Sequence, residues 1–235
     1  MKKHLVAYGD QKYSKQRENF RKTALASGFF DEIHLFSELD IDLEFYEKVY
    51  APVKTNRGGG YWIWKPYVVK KVMDQINDGD ILIYCDAGFT INKDGRERFD
   101  EYIDLVSGSE TGSLDFRLFW KEYQYTKQEV FQYFRVPEEI ITSNQLHSSV
   151  LLLKKCEHTV MLVNEWYDIA LNHSFLFTDE RILPQFQQFI DHRHDQSIFS
   201  ILRKIHGATI INDEICYDGY QYEKYFPFWS TRLTG

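Results

Sequence analysis

The stretch Asp80-Ile81-Leu82-Ile83-Tyr84-Cys85-Asp86-Ala87-Gly88 decides the reading of this chain. Four apolar residues, Ile81 to Tyr84, lie between the turn residues Gly79-Asp80 and Ala87-Gly88. A run that short and that apolar fits an inner strand of a parallel sheet, buried on both faces. Such sheets take ligands in the crevice beyond the carboxyl ends of their strands. The spacing therefore puts Asp86 where a ligand sits, and Gly88 allows close backbone approach.

Working outward, Leu5 to Tyr8 with Gly9-Asp10 reads as a first strand and its ligand-edge turn. Ser14 to Ser27 reads as a helix stopped by Gly28, and Ile33 to Phe36 as a second strand. Leu43 to Val49 reads as a helix. A Gly-rich loop follows, and then a helix with Pro66 in its first turn and Val68, Val69, Val72, Met73 and Ile76 at helical spacing. After Asp86 come a helix over Arg96 to Val106, a weak strand over Leu114 to Trp120, and a short helix to Phe134. That helix is opened by the capping box Thr126-Lys-Gln-Glu129. A strand over Ser148 to Leu153, helices over Thr159 to Leu171 and Ser197 to Ile205, and a last strand over Thr209 to Ile211 complete the pattern. Asp179-Glu-Arg181 reads as a surface helix start. The order predicts an α/β fold, a mostly parallel, mixed central sheet flanked by helices in one domain over 1–235. Residues 1 to about 110 form one half of it, and 111–235 the other. The aromatic tail from Tyr217 to Trp229 is expected to wrap the sheet or cover a pocket.

The 235 residues suffice for a sizeable core, and the formal charge of −7 argues against broad nucleic-acid binding. Aromatic residues make up 17%, a surplus that suits either flat-ring binding or a ring-rich core. Cys85, Cys156 and Cys216 form neither a metal pattern nor a disulfide framework, which predicts a reducing, cytoplasmic setting. No window approaches the ~20 apolar residues of a membrane span, so contact with a membrane is expected to be peripheral at most.

Beside Asp86, two further stretches carry candidate chemistry. In Arg57-Gly-Gly-Gly-Tyr61-Trp62-Ile-Trp64-Lys65-Pro66, glycine amides together with Arg57 and Lys65 suit phosphate oxygens. Tyr61, Trp62 and Trp64 suit a base or sugar face, with one of the two tryptophans expected to bury against the next helix. This is not a phosphate-loop spacing. In Asp191-His192-Arg193-His194-Asp195-Gln196-Ser197, several ionisable groups gather at a helix start, where an anion is favoured. Asp195 there reads either as a helix cap or as a functional acid, and the surrounding charge favours the second. Gln145, His147 and Ser148, just before an apolar strand, read equally as candidates for sugar hydroxyls and as a polar strand entry. Together the stretches suggest an enzyme acting on a polar, phosphate-bearing substrate.

These three stretches, in this order, resemble bacterial and viral glycosyltransferase-like proteins of surface-polysaccharide synthesis, which have the GT-A fold of nucleotide-sugar transferases. The resemblance spans Tyr8 to about Ile211. It implies transfer of a sugar from a nucleotide-sugar donor to a glycan or lipid-linked acceptor, with residues 1 to about 110 as the donor-binding half and 111–235 as the acceptor and catalytic half. Tyr8, Gly9, Arg57, Lys65, Asp86, Ala87 and Gly88 would face the donor. Tyr61, Trp62, Trp64, Gln145, His147 and Gln196 would face sugar or acceptor. Enzymes of this fold hold Mn²⁺ or Mg²⁺ with an Asp-x-Asp motif. Here the second acid is Gly88, which puts metal dependence in doubt and leaves Asp86, with His192, as the candidate ligands. Asp195 would act as base or stabilise the sugar cation, with His194 the second choice for base. The residues do not choose between inversion and retention. Two other readings stay open on the residues alone: a metal-dependent phosphohydrolase or nucleotidyltransferase, and a silent carbohydrate-binding module.

Overall fold

The computed structural model describes residues 1–215 and 223–231. Cys216 and the Tyr217–Tyr222 part of the aromatic tail lie outside the described residues. Nine strands are present among the described residues: β1 Lys3–Tyr8, β2 Glu32–Phe36, β3 Ile81–Cys85, β4 Thr90–Ile91, β5 Ser113–Lys121, β6 Asn144–Leu146, β7 Val150–Lys154, β8 Thr209–Asn212 and β9 Phe228–Trp229. The main helices are α1 Ser14–Ser27, α2 Trp64–Met73, α3 Arg96–Gly108, α4 Gln128–Phe134, α5 Glu157–Asn172 and α6 His194–His206.

The central sheet is mixed, in the order β2-β1-β3-β7-β5-β6, with β8 also on β5. β1 pairs in parallel with β2 and β3, while β7 runs antiparallel to β3, placing Cys85 opposite Val150. β3 therefore lies inside the sheet with every residue buried, which is why its sequence is an unbroken apolar run. Alternation in β1 sends Val6 and Tyr8 to one face and Leu5 and Ala7 to the other. The first face packs α2, α5 and α6 through Val68, Val72, Trp166, Ile198 and Phe199. The second packs α1 and α3 through Phe20, Ala24, Phe99 and Tyr102. Cys85 and Cys156 are free thiols. Among the described residues no helix is long and apolar enough to cross a membrane.

Helix α1 ends at Gly28 with φ 62°, the left-handed stop its sequence predicts. Elsewhere the structure departs from the local reading. Leu43–Phe45 is a single α turn that widens into a π turn over Tyr46–Tyr50. The expected capping box before α4 does not form. Thr126 donates its hydroxyl to Glu122 at 2.7 Å, and Glu129 instead accepts the amides of Ile182 and Leu183 at 2.5 and 2.8 Å. Asp179-Glu-Arg181 starts no helix. The described end of the tail is clasped on the Gly88–Gly95 loop: β9 pairs antiparallel with β4, and Asn92 donates to the carbonyls of Lys224 and Phe226 at 2.9 Å each.

Candidate active site

The carboxyl end of β3, the residue Ser148 just before β7 and the first turns of α2 and α6 converge on one ammonium group. Lys65 is 2% exposed although it is a lysine. Its Nζ lies 2.7 Å from Asp195 Oδ2 and 3.3 Å from Asp86 Oδ1, and donates to the Ser148 carbonyl at 3.1 Å. The ring of Tyr84 lies beneath it at 4.9 Å. Tyr84 also donates its hydroxyl to Asp86 Oδ1 at 2.7 Å. Of these charged groups only Asp86 is appreciably open, with 26% of its side chain exposed. A Cβ on Gly88 would meet nothing within 4 Å, so the space beside Asp86 is open to a ligand.

Burial and two neighbouring acids set the electrostatics. Burial pushes the Asp195 carboxyl up to about 6, against the pull of Lys65 and with a further push from Asp86. Burial works to deprotonate Lys65, but Asp195 and Asp86 outweigh it and hold the ammonium above its ordinary value. Burial beside Asp86 raises the Tyr84 phenol well above its usual range, keeping it a donor. Asp195 Oδ2 is held by the Lys65 ammonium at 2.7 Å, the closest charged contact of the site.

The glycine run shapes the wall of this site. Consecutive residues Gly58, Gly59, Gly60, Tyr61 and Trp62 have φ of 63, 60, 96, 57 and 55°, a left-handed turn. Left-handed backbone costs an L-residue roughly 1–2 kcal/mol, a penalty glycine escapes at the first three positions. A Cβ on Gly58 would lie 2.3 Å from the Trp62 ring. The turn carries Tyr61 and Trp62 onto His194, with ring centroids 5.0 and 5.4 Å away. Trp64 is instead buried, stacked on Tyr8 at 3.9 Å. One tryptophan is thus buried, but Trp64 opens the next helix and packs on β1 rather than lying against that helix. Tyr8 turns its hydroxyl to Tyr50 at 3.0 Å, and Gly9 gives its carbonyl to Arg17 at 2.8 Å. Arg57 is half exposed and paired with Asp191 at 2.9 Å.

Helix α6 begins at His194, so Asp195 lies inside its first turn and is not the cap. His194 (φ 49°) directs Nδ1 to the Phe177 carbonyl at 2.6 Å, and burial lowers its basicity. His192 is 2% exposed, with Nε2 at 2.8 Å from the Leu176 carbonyl and Nδ1 accepting the Lys127 amide at 3.3 Å. Neither of its ring nitrogens is left for the metal expected between it and Asp86. Gln196 binds the Ser148 amide at 3.2 Å and donates to Gln145 at 2.7 Å, which continues to Glu122 at 3.1 Å. His147 accepts the Ser149 amide on Nδ1 at 3.1 Å.

The same network includes residues that the sequence reading passed over. Glu122 is buried and receives Lys204 Nζ at 2.6 Å. Arg203 is buried against Asp115 and donates to the His147 carbonyl at 2.9 Å and to Ser148 Oγ at 3.2 Å. Lys127 Nζ pins the following loop by donating to the carbonyls of Phe175, Thr178 and Glu180, at 2.7, 2.9 and 2.9 Å. Burial pulls its ammonium down to about 8. Ser200 and Arg203 fall on the polar side of α6, opposite Ile198, Ile201 and Leu202, yet both are buried, so the helix's amphipathic pattern gave no signal for them.

The residues around Asp86 suit a divalent cation poorly. Hard cations take several oxygen ligands, whereas Asp86 is a single carboxylate already bonded by Tyr84 and facing an ammonium. Among the described residues no group of three ligating side chains gathers there. A surface hollow of about 520 Å³ is lined by residues such as Tyr123, Ile141 and Phe186 and by none of this cluster. A second hollow of about 350 Å³, lined by Ser14, Arg17, Arg21 and Ser37, adjoins the carboxyl ends of β1 and β2.

The architecture is similar, over 97% of this chain and 94% of the other, to the crystal structure of a glycosyltransferase involved in the glycosylation of the major capsid of PBCV-1. The TM-score is 0.51 and the sequence identity 7%. The chain has a GT-A-like glycosyltransferase fold. Two more solved structures are similar at lower scores. Galactosyltransferase LgtC, in complex with donor and acceptor sugar analogs, scores 0.48 at 14% identity, over 90% of this chain and 74% of that one. Mouse xyloside xylosyltransferase 1 scores 0.47 at 15% identity, over 97% of both chains. No family model matches the chain, and no curated protein matches its sequence.

Proposed function

We propose that this protein is a glycosyltransferase that moves a sugar from a nucleotide-diphosphate sugar to a glycan or lipid-linked acceptor in glycoconjugate synthesis. One observation carries the reading: within a glycosyltransferase fold, Asp86, Lys65 and Asp195 form a single charged cluster at the carboxyl edge of the sheet. Asp86 is the group that faces a ligand. Lys65 is a positioning residue, because its ammonium is enclosed by Asp86, Asp195 and Ser148 and cannot reach a diphosphate without leaving them. Arg57 is better exposed for that task.

Asp195, raised to about 6, is mostly ionised at neutral pH and is the group suited to take a proton from an acceptor hydroxyl. In a retaining enzyme the same carboxylate would stabilise the sugar cation. Tyr61 and Trp62 offer ring faces to the sugar or acceptor. No step is routed through a divalent ion, because the ligands at Asp86 do not fit one.

The test is a thermal-shift screen of UDP-, GDP-, CMP- and dTDP-sugars, each with and without Mn²⁺, followed by release of free nucleotide from whichever donor binds. A ligand that binds only the folded state raises Tm with occupancy. A metal-independent shift with one nucleotide, abolished by Asp86→Asn, supports the reading. Absence of any shift, together with binding on a glycan array, would replace it with a silent carbohydrate-binding module.

A further inference from the structure

At the opposite end of β1 from Asp86 stands a second cluster, outside the proposed site. β1 and β2 pair in parallel with His4 beside Glu32 and Val6 beside His34. Side chains two apart share a face, so Glu32 and His34 present themselves to His4 together. Tyr8 lies about 13 Å further along the strand.

The ligating atoms converge. His4 Nδ1 lies 3.2 Å from His34 Nε2 and 3.6 Å from Glu32 Oε2, and His34 Nε2 lies 3.9 Å from the same oxygen. The imidazoles meet edge to edge, with centroids 5.5 Å apart and planes 26° apart. Triangulating from these distances, a point about 2.05 Å from both nitrogens, on the Glu32 side, lies about 2.1 Å from Oε2. Those are zinc bond lengths to histidine and carboxylate. No backbone movement is needed to create the site.

The surroundings are those of a ligand set held in place. The other nitrogen of His4, Nε2, is buried without a hydrogen-bond partner and faces Asp80 Oδ2 at 3.6 Å. Asp80 is itself held by the Lys2 amide at 2.6 Å and the Asn77 amide at 3.2 Å. A carboxylate behind a ligating histidine fixes its tautomer, with the proton on Nε2 and the lone pair on Nδ1. The remaining oxygen of Glu32, Oε1, accepts from Lys2 Nζ at 2.8 Å, leaving Oε2 to the histidines. Glu32 is 43% exposed, which gives an ion and one water access.

We propose that His4, His34 and Glu32 bind a borderline divalent transition ion of the zinc class, replacing the proton shared between the two imidazoles and bracing the edge strand β2 against β1. Two imidazoles and one carboxylate favour such an ion over Mg²⁺ or Ca²⁺. The ligand set leaves a coordination position for water.

The experiment is calorimetric titration of chelator-treated protein with Zn²⁺, paired with the visible spectrum of the Co²⁺ form. Wild type is expected to bind one ion per chain, with nitrogen-ligated Co²⁺ bands. Asp86→Asn, which removes the other carboxylate facing a ligand, should bind equally well. Asp80→Asn should weaken binding about 10–100-fold, the usual effect of losing an outer partner. His34→Gln and Glu32→Gln, both at accessible side chains, should weaken it further while circular dichroism stays unchanged. Absence of binding by wild type, undiminished binding by folded His34→Gln, or loss of binding in Asp86→Asn would each overturn the proposal.

Discussion

Lys65 Nζ sits 2.7 Å from Asp195 Oδ2, both side chains at least nine-tenths buried, and the pair joins the first turn of α2 to the first turn of α6. Ions removed from water are held only if paired, so this contact ties the acid–base candidate to the helix that follows the glycine turn.

Asp195 should govern a stability slope. Its folded value of about 6 lies above the ordinary 3.8, so the folded state keeps the proton longer than the unfolded chain. Stability is then fullest below about 3.8, falls as pH rises towards about 6, and is level above that. Denaturant unfolding of Asp195→Asn should lack this fall. An undiminished fall in the variant would assign the slope to another group.

If Asp195 takes the acceptor proton, activity should rise with pH through about 6, and Asp195→Asn should lower kcat by roughly 10²–10⁴-fold with no such limb. A variant that keeps its rate but loses the limb would leave Asp195 only a modulator.

Asp86→Asn should remove donor-dependent nucleotide release while leaving the fold intact, because Lys65 keeps Asp195 and Ser148 as partners. Turnover and circular dichroism on the same preparation separate the two effects. Retained turnover removes Asp86 from the mechanism.

Gly58→Ala should distort the left-handed turn. The added Cβ lands 2.3 Å from the Trp62 ring at φ 63°, where an L-residue also costs roughly 1–2 kcal/mol. A lower Tm and altered tryptophan fluorescence are expected. Gly88→Ala meets no atom within 4 Å and should leave Tm nearly unchanged.

Behind the site, Arg203→Met strands the buried carboxylate of Asp115 and should cost about 3–5 kcal/mol in urea unfolding. Pairing it with Asp115→Leu removes the stranded charge and should recover most of that loss. No recovery would mean that the packing of Arg203, rather than its charge, matters.

Much of this architecture is written in local pattern. The apolar runs of β1, β3 and β7, the stop at Gly28 and the carboxylate of Asp86 at a strand end all follow from periodicity and turn residues. A strand buried on both faces must be apolar along its length, and a left-handed helix stop favours glycine. Asp86, Lys65 and Asp195 were each visible as candidates in the same way. Their arrangement was not, because the partner of a buried polar group lies far away in sequence and is chosen by packing. Hence Lys65, read as a phosphate ligand, turns inward between two acids. Thr126 and Glu129 abandon a capping box for Glu122 and the Ile182 and Leu183 amides. Both ring nitrogens of His192 go to main-chain groups. By itself the sequence determined the longer apolar strands, though not the short β4, β6 and β9, and which acid stands at the sheet edge, since those depend on neighbours a few residues away. Only the tertiary structure decided which charges meet, since desolvation makes every buried polar group take whatever partner the packed helices bring to it.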